Sequence, residues 1–459
     1  MHNPLLVPEL RELLAAGETG DLRDFCLEGH PATVADFISL LEPDEVRRVL
    51  ATVPPRERAL IFGHLDPEME MALTGIMSRK EMAEMVTHML SDERVDLLQR
   101  LPGEQREALL PALSAAERED IRRLASYPEG TAGAVMSSDY AALSPSESAA
   151  QALERLRREA PDKETIYYAY VVDERRHLVG FISLRDLILA PPHRKVGEIM
   201  QREVVSANAD DDQEQVAQLI AKYDLLALPI VGTDGTLVGI VTHDDVIDVI
   251  RQEHTEDVEK FVGIAGEHEV GAYLRTPAMT HFRNRAGWVV GLAALGMLSG
   301  EIYQAFDATL DRLLLLAFYL PMIASTGGNT GSQAAMVVMR SLATGELSGR
   351  DALSVLWKEL RVAVLMAVVL GALVFGKVLL FENGTDVPGG LSLPVIAAAI
   401  GLALGVQVVT STLAGALLPL AVGRLGFDPA VVASPALTTT VDITGLLIYF
   451  GVVQLLLGV

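Results

Sequence analysis

The feature that most constrains this chain is the placement of its apolar residues. From Ala286 onward, stretches of twenty residues and more carry almost no charge. A bilayer core about 30 Å thick asks about 20 consecutive apolar residues of a helix. Five segments answer that description, 285–302, 313–342, 360–381, 393–422 and 435–457, the second long and interrupted. A soluble protein would have to bury all five, and it would have no reason to alternate the sign of charge between them. Cytoplasmic loops hold the excess of Lys and Arg. Arg275, Arg283 and Arg285 ahead of the first segment are therefore expected inside, as are Arg340, Arg350, Lys358 and Arg361 between the second and third. Glu301, Asp307 and Asp311, with only Arg312 among them, fall outside, as do Glu382 and Asp386. Arg424 returns the chain to the inside, so an odd number of spans leaves Val459 on the outer face.

The water-soluble part has its own signature. Of 37 basic and 61 acidic side chains, only nine and ten lie from Arg283 onward, so the front part holds nearly all of the net charge of −24. Such a surface repels nucleic acid and anionic lipid heads and attracts cations. Cys26 is the only cysteine, which excludes an internal disulfide and a zinc site of several thiolates and fits a reducing cytosol. Residues 1–14 show no basic stretch followed by an apolar core and a small-residue cleavage site. A signal peptide is not expected there, and the front domain is expected to stay inside the cell.

Within that front part, apolar positions from Pro8 to about Tyr127 recur at helical spacing. They are broken at Glu42-Pro43-Asp44, Pro54-Pro55, Asp66-Pro67 and Leu101-Pro102-Gly103. Helix-start chemistry at Pro43-Asp44-Glu45 and Ser91-Asp92-Glu93 predicts a stack of short helices, an irregular superhelix without a strict repeat. Near Met136 the pattern changes to β-branched and aromatic runs, with strands expected at 166–172, 179–183, 227–231 and 238–242. Two phrases match: Val179-Gly180-Phe181-Ile182-Ser183 with Asp186-Leu187-Ile188, and Val238-Gly239-Ile240-Val241-Thr242 with Asp245-Val246-Ile247. This duplication, about sixty residues apart, resembles a tandem pair of CBS modules over roughly 136–252.

Three groups of residues could carry chemistry. Asp442 lies deeper in an apolar segment than any other acid. A carboxylate there costs about 2.5 to 3.5 kcal/mol on insertion scales, so it asks for a polar cavity, a cation or neighbouring hydroxyls such as those of Thr438, Thr439 and Thr440. The second segment holds Pro321 and then Ser325-Thr326-Gly327-Gly328-Asn329-Thr330-Gly331-Ser332-Gln333. This run is expected to open the helix and bare backbone carbonyls, the alternative being close helix packing on small residues. Its oxygen ligands suit Mg²⁺ or Ca²⁺ better than Zn²⁺ or Cu⁺. The third group precedes the membrane: Asp244, Asp245, Asp248, Glu253, Glu256, Asp257 and Glu259, with Asp210, Asp211, Asp212 and Asp224 nearby. Acids on a shared helix face repel, and a divalent cation would relieve them.

At Gly327-Gly328-Asn329-Thr330-Gly331-Ser332-Gln333 and Asp442-Ile443-Thr444-Gly445-Leu446-Leu447-Ile448-Tyr449 the sequence resembles the MgtE family of bacterial magnesium channels, and the order of parts agrees over the whole chain. The resemblance implies a multidomain α-helical membrane protein. Its parts would be an N-terminal helical superhelix (1–130), tandem α/β CBS modules (136–199 and 200–252), a connecting or plug helix (253–282) and a five-helix transmembrane domain (283–459). It also implies a homodimer in the cell or inner membrane that mediates magnesium uptake, with a pore on the two-fold axis and cytosolic Mg²⁺ holding the gate closed. Asp442 would be the pore acid, with Gly328, Asn329 and Ser332 along the same path and Asp428 at the cytosolic mouth. Ser332 stands where the family often has Asn. The regulatory acids would be Asp212, Asp224, Asp245, Asp248, Glu253, Glu256 and Asp257, with Asp92, Glu93 and Asp96 on the side of the N-terminal domain. ATP is a further candidate ligand, because Ser183-x-x-Asp186 and Thr242-x-x-Asp245 keep a ribose-type motif.

Other readings compete. Oxygen ligands do not rank Mg²⁺ sharply against Mn²⁺ or Co²⁺. An adenylate-regulated carrier of an anionic or organic solute is a further reading, in which Asp442 speaks against an anion path. An enzyme would need a paired nucleophile and base or a His-rich metal cluster, which the spans lack.

Overall fold

The computed structural model describes residues 7–264, 273, 276–382, 391–425, 428 and 434–458. Arg275, Asp386 and Val459, and part of the 253–282 connection, lie outside the described residues. The chain divides into two compact units, Met1–Ile250 and Arg251–Val459.

The first unit opens with ten helices: α1 (Val7–Ala16), α2 (Thr19–Glu28), α3 (Pro31–Ile38), α4 (Pro43–Leu50), α5 (Pro55–Gly63), α6 (Pro67–Ile76), α7 (Arg79–His88), α8 (Ser91–Arg100), α9 (Gly103–Leu109) and α10 (Ala115–Leu124). The prolines that break the pattern are helix starts. Pro31, Pro43, Pro55 and Pro67 each sit in the first turn, where a missing N–H costs nothing. Ser78 with Glu81, and Ser114 with Glu117, close reciprocal capping boxes at α7 and α10. The buried faces bring Ile38, Val46, Phe62, Leu73, Met85 and Leu97 into one core. Ser91 opens α8 where the Ser-Asp-Glu start puts it. Its hydroxyl contacts that of Ser137 at 3.1 Å and accepts the Ser138 N–H at 2.7 Å, tying α8 to the segment that leads into the sheets.

Two three-stranded sheets follow. β1 (Tyr140–Leu143), β2 (Thr165–Val172) and β3 (Leu178–Ser183) form one; β4 (Ala207–Asn208), β5 (Ala227–Val231) and β6 (Leu237–Thr242) form the other. In each the first pair is parallel and the second antiparallel, as a duplication requires. Helices α11 (Ala149–Glu159), α12 (Leu184–Leu189), α13 (Val196–Ile199) and α14 (Gln213–Tyr223) complete the modules. The repeated glycine has a steric cause. A Cβ at Gly180 would stand 2.6 Å from the Gln201 backbone oxygen, and one at Gly239 would stand 2.9 Å from that of Ser137, because in each copy a crossing segment pairs there. Tyr140, Tyr170, Ala227, Leu237 and Ile240 join the two modules in one cluster.

The connecting helix expected over 253–282 falls only in part on described residues, of which 253–261 continue a helix that begins at His243. α15 (His243–Phe261) continues directly from β6 and stops before Gly263, which takes the left-handed φ of +76°. Thr242 ends the strand, and its N–H donates to Asp245 at 3.2 Å as the helix begins.

The second unit holds α16 (Ala278–Ala305), α17 (Asp307–Arg312), a 3₁₀ segment at Leu314–Tyr319, α18 (Leu320–Ala343), α19 (Ala352–Phe381), α20 (Leu393–Arg424) and α21 (Ser434–Leu457). Four of these, α16, α19, α20 and α21, are long and apolar enough to cross a membrane; α18 is 24 residues long but more polar. The expectation that the glycine-rich run opens the helix is overturned, since α18 is helical throughout and the interruption falls upstream, in the 3₁₀ segment. The glycines serve contact. A Cβ on Gly415 of α20 would fall on the Gly331 backbone oxygen, and one on Gly331 would lie 3.1 Å from that of Ser411. Small residues let helix backbones approach in this way. Polar side chains fill the seam: Thr330 and Ser411 hydroxyls lie 2.7 Å apart, both buried. The 3₁₀ segment is pinned by Tyr449 of α21, whose hydroxyl donates to the Leu316 oxygen, and through Tyr319 by Lys377 of α19, which also pairs with Glu382.

Candidate functional site

Two groups of oxygen ligands stand out, one in each unit. In the first, the N-terminus of α8 supplies Asp92 and Glu93, the start of α15 supplies Asp244 and Asp245, and Glu164 comes from the turn before β2. Their charges act on one another. Burial, and then the charges of Asp245, Glu164 and Glu93, raises the Asp92 carboxyl well above the usual range. Burial, reinforced by Asp245, Asp96 and Asp244, pushes Glu93 up to about 7. Burial, with Asp245, Asp244 and Glu93 behind it, pushes Glu164 up to about 8. Burial outweighs the Thr242 hydrogen bonds at Asp245 and pushes it up to about 6. Asp92 Oδ1 and Glu164 Oε2 are buried and have no hydrogen-bond partner among the described residues. Gathered acids with orphaned oxygens attract hard divalent cations. Among the described residues, no group of three or more His, Cys, Asp or Glu is placed to hold a metal ion. Asp92, Glu93 and Asp245 were expected here; Asp96 stands exposed on α8, and Glu164 was not foreseen.

The remaining regulatory candidates are dispersed, and several have structural work. Asp212 caps α14 by accepting the Glu214 N–H at 2.8 Å, and Asp224 ends that helix in the left-handed conformation at φ 51°. The eleven-residue helix between them keeps the two about 18 Å apart. Asp248 lies on α15 one turn from Asp245, which feels its charge. In the second unit Glu253, Glu256 and Asp257 continue α15. Lys260, not singled out in the sequence, pairs with Glu256 at 2.5 Å and with Asp428 at 2.6 Å. Burial, and then the charge of Asp428, raises Asp257. The Ser183 hydroxyl accepts the Asp186 N–H at 3.0 Å as the cap of α12, while the Thr242 hydroxyl donates to Asp244 and Asp245 at the start of α15. The ribose-type motif thus doubles as helix-start chemistry.

In the second unit Asp442 sits about a third of the way along α21, half-buried, and its Oδ1 is buried without a partner among the described residues. The hydroxyls of Thr439, Thr440 and Thr444 turn to backbone carbonyls of their own helix instead. Gly328 of α18 faces this acid: a Cβ there would stand 3.7 Å from Asp442 Oδ1 and 2.8 Å from Thr438 Cγ2. Ser332, one turn along, meets the Thr438 hydroxyl at 3.3 Å, and Asn329 is exposed beside Gly328. The structure therefore brings Asp442, Gly328 and Ser332 to one seam between α18 and α21. Gln407, missed in the sequence, reaches the same seam from α20 and donates to the Val441 oxygen at 2.9 Å.

Known proteins bear on both groups. The family described as "Divalent cation transporter" matches residues 320–452, "MgtE intracellular N domain" matches 29–130, and "CBS domain" matches 132–193 and 196–252. The magnesium transporter MgtE of Thermus thermophilus is 44% identical over 338 residues, covering 74% of this chain and 72% of the relative. Its counterpart from Bacillus subtilis is 36% identical, covering 72% and 71%. The crystal structure of the cytosolic domain of the Mg²⁺ channel MgtE in complex with ATP matches with a TM-score of 0.50 and 39% identity, covering 53% of this chain and all of that one. On these matches, over most of its length and through all three kinds of domain, the chain belongs to the MgtE family of divalent cation transporters.

Proposed function

We propose that this protein takes up Mg²⁺ across the cell membrane through a path lined by Asp442, Gly328, Asn329 and Ser332, with Asp428 at its cytosolic mouth. The single observation that carries this reading is the orphaned Asp442 oxygen facing Gly328 within an apolar helix. A carboxylate left bare at that depth is stabilised by the cation it binds. Mg²⁺ surrenders its water reluctantly, so the hydroxyls of Ser332 and Thr438 serve as partners to its hydration shell. The working form is a homodimer with its N-terminus in the cytosol and its C-terminus outside. In support, α16 has no buried residue and exposes Val289, Val290 and Met297 by more than 60%, a surface suited to lipid and a second copy.

Gating follows from the acidic clusters. At low internal Mg²⁺ the carboxylates of α8, the β2 turn and α15 repel; as Mg²⁺ rises, ions bridge them, favour the closed arrangement and seat the connection on the pore. Each ion is then a differential ligand for the closed state, as a population shift requires. Asp212, Asp224, Asp248, Glu253, Glu256 and Asp257 contribute to these bridges. ATP bound in the CBS tandem is a second regulator, supported by the likeness to the ATP-bound cytosolic domain.

The test is Mg²⁺ uptake into liposomes holding the purified protein, with Asp442→Ala and Asp442→Asn beside wild type and with Mn²⁺ and Co²⁺ as separate permeants. Uptake by wild type that is lost in both folded variants is expected. Full uptake in the variants would make Asp442 structural, and a higher rate for Mn²⁺ or Co²⁺ would reassign the substrate.

A further inference from the structure

Helices α18, α20 and α21 meet on a single amide. Gln407 of α20 is fully buried, and its Nε2 donates at 2.9 Å to the backbone oxygen of Val441, the residue before Asp442. Glycines on both neighbouring helices make room for it. A Cβ at Gly445 of α21 would stand 2.5 Å from Nε2, and one at Gly327 of α18 would collide with the same nitrogen. The Val441 acceptor decides which end of the amide is which, so Oε1 points elsewhere. That oxygen has no donor among the described residues. An orphaned buried acceptor weighs against stability; its buried neighbours on α20 include the apolar Ala403, Leu404 and Val408, and the Ser411 hydroxyl one turn on is turned to Thr330 and the Val408 oxygen instead. Packing alone would favour Leu or Met at this position.

We propose that Gln407 is a positioning residue for the permeation site. Its amide clamps the backbone of α21 against the glycine face of α18, and so holds the Asp442 carboxylate at the depth of Gly328. One residue from the clamp is the carboxylate, and one residue from the other glycine is Gly328. A small rotation of α21 would therefore swing the carboxylate out of the seam. This inference rests on the reading of Asp442 as the pore acid, and it adds a specificity role to a residue that touches no ion itself.

The experiment compares wild type with Gln407→Met, full chain in liposomes, reading the half-saturating Mg²⁺ concentration, the preference for Mg²⁺ over Mn²⁺, and the thermal midpoint. Methionine keeps the length and removes both the donor and the orphan. The expected result is a midpoint held or raised, a half-saturating concentration about fivefold higher, as the loss of one neutral hydrogen bond implies, and a narrower ion preference. A lower midpoint with unchanged half-saturation and preference would make Gln407 a packing residue and overturn the proposal, as would no change in any reading. Should Gln407→Met fail to assemble, Gln407→Asn, which draws the amide back from Val441, must show the same rise or the proposal falls. Wild type that moves no ion would overturn the transport reading itself. Wild-type uptake beside unaltered variants would overturn this inference alone.

Discussion

Residues of the same kind can be plain or hidden in a sequence, according to what surrounds them. Asp442 is conspicuous because an acid in an apolar segment breaks a strong rule, and the same rule would have exposed Gln407, an amide within the 393–422 run. Glu164 carries no such signal, since it sits in a polar turn and becomes special only when the fold sets it beside Asp92 and Asp245. That gathering has a pH signature. In the unfolded chain these carboxyls titrate near 4, whereas burial and neighbouring charge hold Glu93 at about 7 and Glu164 at about 8. As pH rises through this window the unfolded chain releases protons that the folded one keeps, so the cation-free protein loses stability, and the loss levels off above the folded values. A divalent cation competes with those same protons. We therefore expect Mg²⁺ to raise the thermal midpoint by several degrees at about pH 8 and by much less at about pH 5.5, measured on the full chain in detergent. Equal shifts at both pH values would mean that the cation binds elsewhere.

Elements were legible where one pattern dominates. The four foreseen strands and the duplicated strand-to-helix phrase fall where alternation and the [ST]-x-x-D turn put them. β1 and β4, four and two residues long, are too short to show a period and exist because a parallel neighbour completes them. The misreading of α18 has a different origin: glycine signals both a broken helix and a close contact, and only a partner helix tells which applies. Here the partner is α20, and the contact is testable. Gly415→Ala places a methyl against the Gly331 backbone, 2.8 Å from its carbonyl carbon, which neither helix can yield cheaply. We expect a loss of about 1–3 kcal/mol, read as a fall of several degrees in thermal midpoint. Gly376→Ala, where the added methyl meets nothing within 4 Å, should leave the midpoint unchanged or slightly higher. Equal tolerance of both substitutions would show that α18 and α20 do not pack this closely in the membrane.

For the whole molecule, charge asymmetry along the chain is the property that composition reveals and packing turns into a device. Nearly all the net charge of −24 resides ahead of Arg283, and the fold gathers several of those acids at the start of α8, ahead of β2 and at the start of α15. In the gating we propose, acids so gathered repel when no cation is present and favour the open arrangement. Lys260 shows the same logic with a tethered cation, bridging Glu256 and Asp428. If divalent ions perform that bridging at the other acids, they must stabilise the closed arrangement by more than they stabilise the open one. Removing their ligands must then uncouple protection from Mg²⁺. Asp245→Asn, Asp248→Asn and Asp257→Asn combined relieve the repulsion while deleting the charges an ion would bridge. In that triple variant, rising Mg²⁺ should no longer slow proteolysis of the part ahead of Arg283, and uptake should continue at internal Mg²⁺ levels that close the wild type. Protection that rises with Mg²⁺ as in wild type would place the regulatory ion on other ligands, Asp92 and Glu164 first among them, because their orphaned oxygens would still be waiting for a partner.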